Sequence, residues 1–254
     1  ATGQVENYVE LIMVADYEFF ARTKSFLETD DDEKVAAYIQ AYFVQMVEIA
    51  NLVYERSLKD VGKLKITLAL NAIYIVDSEE DSEFSNNPID YDGSSEDDKG
   101  KKYVDEDKAL ASFSEWLEKN LGDVEFDSAA LISGNNFANS ESTGTIGYAS
   151  VGGICHKTER AMIIEDDNDY YSAFTLAHEL AHNLGVEHDP DNNPDGDSEC
   201  TNEANYIMAT EEQKENFLHT FLFSPCSIKT LVKQVYQKGS YKCLKDKSKT
   251  SDDL

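Results

Sequence analysis

His178-Glu179-Leu180-Ala181-His182-Asn183-Leu184-Gly185-Val186-Glu187-His188-Asp189 is the run that decides how this chain reads. His178 and His182 stand four residues apart, so on a helix they share one face, one turn apart. Each can then aim a ring nitrogen at one ion about 2.0–2.1 Å away. Glu179 follows the first histidine and reaches a water on that ion. Gly185 allows an abrupt helix stop, because glycine accepts the left-handed backbone of a helix end. The chain can then turn back and present His188 as a third ligand. Three protein ligands leave a fourth position open, the mark of a catalytic zinc site as opposed to a closed structural one. Glu179 is placed to take the proton of an attacking water, whose pKa a zinc ion brings to about 7, and to deliver it to a leaving amine. The plainer reading is an exposed helix end with incidental histidines. The longer string argues against it, since three of the five histidines of the chain fall in register within it.

Such a string followed by a methionine turn is the metzincin signature, and Tyr206-Ile207-Met208-Ala209 follows downstream. At these residues the chain resembles the adamalysin, or reprolysin, branch of the metzincins, which holds the ADAM, ADAMTS and snake-venom metalloproteases. Asp189 after the third histidine points to that branch. Val9 to Asp16 is similar to the family's first strand, and Gly144 to Ala149 with Val151 to Cys155 is similar to its edge strand and following loop. Ser224 to Ser227 and Tyr241 to Leu244 resemble the end of an ADAMTS-type catalytic domain. The low cysteine count and the acidity depart from typical snake enzymes and bring the chain nearer the single-domain relatives of arthropod venoms and saliva.

The resemblance implies an α/β zincin fold: a twisted, mixed, five-stranded sheet with long helices, and a cleft between a large upper lobe (about residues 1–187) and a small lower lobe (about residues 188–254). It implies an apolar floor made by Met208. It also implies a substrate lying as an added strand along Thr145, Ile146, Gly147, Tyr148 and Ala149, and a specificity pocket between the zinc helix and Ile207–Thr210 that takes apolar side chains. The four cysteines, Cys155, Cys200, Cys226 and Cys243, allow three pairings. The resemblance implies Cys155–Cys226 and Cys200–Cys243. It also carries a calcium site onto Glu10, Asp127 and the Cys226 carbonyl. Lys229 falls where relatives often hold a neutral or acidic ligand, so its ammonium can stand in the ion's place and pair with both carboxylates.

The bulk numbers bound the partners. With 50 acidic and 22 basic residues the formal charge is −28. That surface repels nucleic acid and anionic membranes; it either favours soluble, neutral or cationic protein or peptide substrates or serves solubility alone. No run of about twenty apolar residues is present, so nothing in the sequence inserts in a membrane as a helix. No signal peptide is visible, and the start almost directly at a strand fits a mature form whose leader and inhibitory pro-segment, implied by the resemblance, are removed. No Asn-x-Ser/Thr sequon occurs. A monomer is expected. The competing functions are a non-proteolytic binding toxin on the same scaffold and a zinc amidase acting on small molecules. Retention of every catalytic residue opposes the first, and the helix-turn third ligand opposes the second. A disintegrin-like or cysteine-rich module after the domain is not expected.

Periodicity places the remaining elements. Tyr8–Val14 reads as a buried strand, Leu64–Val76 as a second, and Ala129–Ile132 and Ala161–Glu165 as two more. Val35, Ile39, Tyr42, Met46, Ile49 and Val53 recur at helical spacing after an acidic start at Thr29–Glu33. Asp107–Lys119, Ser172–Leu184 and Ser227–Gln237 read as further helices. The acid-rich stretch 77–107 reads as a solvated loop lacking the ordered ligands of an EF-hand, and the tail after Gly239 as frayed.

Overall fold

The structure, a computed structural model, describes residues 5–62, 64–85, 88–89, 102–140, 142–191, 198–210, 216–237 and 241–245. In chain order the principal elements begin with β1 (Val5–Ala15), α1 (Tyr17–Phe26), α2 (Asp32–Leu58) and β2 (Leu64–Ile75). A 3₁₀ turn (Glu80–Ser85) leads to β3 (Pro88–Ile89), β4 (Tyr103–Asp105), α3 (Glu106–Leu121), β5 (Ser128–Ser133) and β6 (Asn136–Ala138). Then come β7 (Gly147–Ala149), β8 (Ala161–Glu165), α4 (Ser172–Asn183) and α5 (Pro225–Leu231), which runs on into a π-helical turn, Val232–Gln237.

Five strands form one sheet in the order β2-β1-β5-β8-β7. All neighbours pair in parallel except β7, which runs antiparallel to β8 at the edge. This is the expected mixed sheet. Strands buried on both faces lose the alternation of a half-exposed strand, and β1 shows it. Val9, Leu11, Met13 and Ala15 pack on α1, α2 and α4, while Ile12 and Val14 face the α3 side. The helical stripe on α2 is core as read: Val35, Ile39, Tyr42, Met46 and Val53 are buried, and Ile49 packs against them partly buried.

Three features differ from the sequence reading. Helix α1 was not anticipated. Its signal is Asp16, whose buried carboxylate caps the helix by accepting from Phe19 N–H at 2.7 Å and also from Gly134 N–H at 3.1 Å. The acid-rich stretch is not all solvated loop: the Glu80–Ser85 turn buries Phe84 against Phe113 and Trp116, and β4 buries Tyr103 and Val104. Within it, residues 86, 87 and 90–101 lie outside the described residues, as does the tail from 246 on. Lastly, the final helix begins two residues early, because Ser224 accepts from Ser227 N–H at 3.1 Å and Pro225 fits the first helical turn.

The expected disulfide pairing is wrong. The bonds are Cys155–Cys243 and Cys200–Cys226, with Cα separations of 6.0 and 5.6 Å, inside the usual span. Topology gives the reason. The loop bearing Cys155 is tied to the end of α4 by Gly152 N–H to the His182 carbonyl and Ile154 N–H to the Asn183 carbonyl. The chain segment that reaches this corner and packs on β1 is the turn Cys243–Lys245, whereas Cys226, at the start of α5, packs on the Ser198–Cys200 turn.

The lysine alternative at the calcium-or-lysine corner is corrected too. Asp127 and Glu10 do meet: Asp127 Oδ2 accepts from Glu10 N–H, and Asp127 N–H donates to the Glu10 carbonyl, both at 2.9 Å. Lys229, however, is exposed on α5 with no ion pair among the described residues. Lys229 therefore does not pair with the two carboxylates. The sulfurs that do lie beside Asp127 belong to Cys155 and Cys243, and as a disulfide they offer no thiolate to a metal.

The longer closed loop spans 88 residues and the shorter 26, worth about 4.6 and about 3.5 kcal/mol in the chain-entropy picture. Cys155→Ser with Cys243→Ser is therefore expected to lower stability more than Cys200→Ala with Cys226→Ala, as read by denaturant midpoints. Non-reducing peptide maps of the unmutated protein should return the two pairs above, and a Cys155–Cys226 peptide would contradict them.

Candidate metal centre

Helix α4 carries His178 and His182, and its ending is what brings His188 to them. Gly185 has φ +87°, its N–H donates to the His182 carbonyl at 2.8 Å, and Val186 N–H donates to the Ala181 carbonyl at 2.9 Å. These two bonds are the Schellman helix stop, in which the left-handed residue falls to glycine at least cost. The stop turns the chain through about one residue's length, and His188 returns over the helix face. His188 Nε2 then lies 3.2 Å from His178 Nε2 and 3.1 Å from His182 Nε2.

Hydrogen bonds fix the protonation pattern of two of the rings. His178 Nδ1 lies 2.6 Å from the Ile207 carbonyl, and His182 Nδ1 lies 2.7 Å from the Val186 carbonyl. A carbonyl only accepts, so each Nδ1 carries the proton and each Nε2 turns a bare lone pair inward. Burial, then the neighbouring His182, holds the His178 imidazole down to about 3. Burial, then His188, holds His182 down to about 4, and burial lowers His188. The bare lone pairs of His178 and His182 converge with the His188 Nε2, an arrangement that a cation between them would relieve. Tetrahedral ligands at about 2.0–2.1 Å stand about 3.3 Å apart, close to the spacing found. The donor set fits zinc.

The Met208 turn acts through its backbone. The Ile207 carbonyl receives His178, and the Met208 carbonyl receives Asp189 N–H at 2.8 Å. The turn thus touches both the first ligand and the residue after the third, while the Met208 side chain is fully buried. Asp189 is held in turn by the Ser224 hydroxyl, which donates to its Oδ1 at 2.7 Å. Both ends of the ligand run are therefore anchored to the segment 205–227.

Glu179 is 3% exposed, and its Oε1 lies 4.0 Å from His178 Nε2. Oε2 is buried with no hydrogen-bond donor among the described residues. Burial first, then the charge of Glu106, pushes its carboxyl up to about 8. A dication at the histidines opposes both effects by favouring the carboxylate. Gly147 of β7 lies directly above: a Cβ there would stand 2.5 Å from Glu179 Oε1 and 2.6 Å from Thr175 Cγ2. Glycine is required at that close approach.

A cleft of about 590 Å³ opens over the histidines. One wall is Gly144–Ala149, including all five residues expected to receive substrate, and the opposite wall includes Tyr206, Ile207 and Thr210. Strand β7 pairs with β8 on one side, so its other edge faces the cleft. Sequence reasoning missed Glu106, Phe174, Thr175, Asn205 and Thr220, which also line it. Thr175 is signalled by helical spacing, one turn before Glu179. Nothing local signals Glu106, which arrives from α3.

With this geometry in place, the comparisons with known proteins are specific. The Reprolysin_5 model, metallo-peptidase family M12, matches residues 5–219. "A disintegrin and metalloproteinase with thrombospondin motifs 1" of Bombyx mori is 28% identical over 227 residues, 89% of this chain and 19% of that protein. "A disintegrin and metalloproteinase with thrombospondin motifs 18" of Mus musculus is 32% identical over 146 residues, 54% of this chain and 12% of that protein. The chain thus spans less than a fifth of these curated relatives. Among solved structures, metalloproteinase-II from Bacteroides fragilis shares the fold at a TM-score of 0.50 and 18% identity, over 97% of this chain and 55% of that one.

Proposed function

The chain belongs to metallo-peptidase family M12, and from that premise we propose that it is a secreted, zinc-dependent endopeptidase in which Glu179 is the general base. The observation that carries this reading is the convergence of the three histidine Nε2 atoms, His188 lying 3.2 Å from His178 and 3.1 Å from His182, beside a buried carboxylate in an open cleft. His178, His182 and His188 would hold the ion. When bound, zinc supplies Lewis-acid polarisation of a water and of the scissile carbonyl.

The chain's own groups do the rest. The substrate backbone lies along the free edge of β7 as an added strand, between Gly144–Ala149 and the Tyr206–Thr210 wall. Gly147 lets the strand come down close to Glu179. The Glu179 carboxylate, unengaged by protein donors, takes a proton from the attacking water and passes it to the leaving amine. Phe174, Ile207 and Ala209 give the specificity pocket an apolar lining, in keeping with apolar side chains there. Secretion is supported by two disulfides, which persist in oxidising compartments. No helix among the described residues is long and apolar enough to cross a membrane.

Incubation with a mixed peptide library is expected to give internal cleavages that stop on chelation and return on adding zinc. Cleavage that persists in excess chelator, or release of single terminal residues alone, would overturn the assignment.

A further inference from the structure

The cleft wall holds a charge that peptide hydrolysis, as described, does not use. Glu106 is the first residue of α3, is 7% exposed, and lines the cleft beside Thr145. Asn139 Nδ2 donates to its Oε1 at 2.9 Å, and the Thr145 hydroxyl donates to its Oε2. Both donors are neutral, and among the described residues no lysine, arginine or histidine pairs with it. A second carboxylate stands behind the same strand: Asp107 accepts from the Tyr148 hydroxyl at 2.9 Å. The described residues lining the cleft include the acids Glu106, Glu179 and Glu187, and neither lysine nor arginine.

A carboxylate offers about four acceptor positions, and with two neutral donors and the partial positive end of α3 as its surroundings, Glu106 lacks a cationic side-chain partner among the described residues. In a partly shielded cleft such a charge attracts a cation more strongly than it would in open water. Gly147, packed on Glu179, marks the level of the reacting bond. Thr145 lies two residues back along the strand, about 6–7 Å away at the usual rise. That is within reach of a lysine or arginine side chain from a substrate residue near the bond.

We propose that Glu106 is a specificity-determining residue that selects substrates carrying a lysine or arginine side chain on the Thr145 side of the scissile bond. The proposal rests on the peptidase reading of the cleft. It names the substrate chemistry that reading leaves open.

The test walks a single lysine, glutamine or glutamate through each position flanking the bond of a cleaved peptide, with the unmutated protein and Glu106→Gln. At one position on that side, kcat/KM for lysine should exceed that for glutamine by about fivefold or more, the scale of a charge-assisted contact. Glutamate should be the poorest there. Glu106→Gln should bring the lysine-to-glutamine ratio close to one. In the unmutated protein, raising salt should shrink the ratio, because the cleft is open to ions. Using a ratio within each protein cancels any general loss from a loosened Thr145. A uniform fall on all peptides with the ratio intact would overturn the proposal and leave Glu106 a tie to Thr145. Absence of a lysine preference at every position would overturn it too. Failure to cleave any peptide would instead overturn the peptidase reading, and this proposal with it.

Discussion

Glu179→Ala is expected to lower kcat/KM by about 100- to 10,000-fold, the range of a positioned general base, without lowering the melting temperature. The two halves of this expectation come from the same environment. Glu179 is 3% exposed, and its Oε2 is buried without a donor among the described residues. A buried carboxylate lacking partners costs stability, so alanine removes a liability as well as a base. Groups kept at a cost to the fold are characteristic of active sites. Zinc should remain, since Glu179 is not one of the three converging imidazoles. Activity within tenfold of the unmutated protein would mean that another group takes the proton. Activity lost together with several degrees of melting temperature would mean that Glu179 chiefly holds the helix in place.

The contrast between what was legible and what was not follows the range of the forces. The metal centre was legible because it is local: two histidines one helical turn apart, a glycine stop, and a third histidine three residues on. The same holds for β1, α2 and α4, whose apolar runs and stripes are long enough to dominate their own structure. The family resemblance pointed to β7 as the proposed substrate edge, which three residues of sequence would not reveal alone. The disulfides were not legible, because pairing is decided by where the C-terminal turn crosses β1, and cysteine spacing does not encode that. The lysine pairing at Glu10 and Asp127 was not legible either, since Lys229 stays exposed on α5 while the turn bearing Cys243 is what comes beside Asp127. Glu106 is a third case. Its role depends on the first turn of α3 arriving over Thr145, a contact between segments far apart in the chain.

His182→Ala is expected to separate metal binding from the rest of the site. Three imidazole ligands fall to two, and the remaining pair no longer encloses a tetrahedral position. Metal content should drop from about one equivalent to well below half after gentle purification. Because an ion that binds only the folded state stabilises it by mass action, free zinc at about 1,000 times its dissociation constant contributes about 4 kcal/mol. For a chain of this size that corresponds to a fall of about 8–16 °C in melting temperature on chelation of the unmutated protein. In His182→Ala the same chelator should leave the melting temperature nearly unmoved, since there is little bound ion to remove. The alanine also removes one of the two bare nitrogens that converge there, so the chelated variant should melt no lower than the chelated unmutated protein by more than its lost packing, about 1–3 kcal/mol for a buried truncation. Glu179→Ala should keep the full chelator response while being inactive, so the pair of variants divides holding the ion from moving the proton. An unchanged chelator response in His182→Ala would remove this histidine from the metal centre, and the three-histidine site with it.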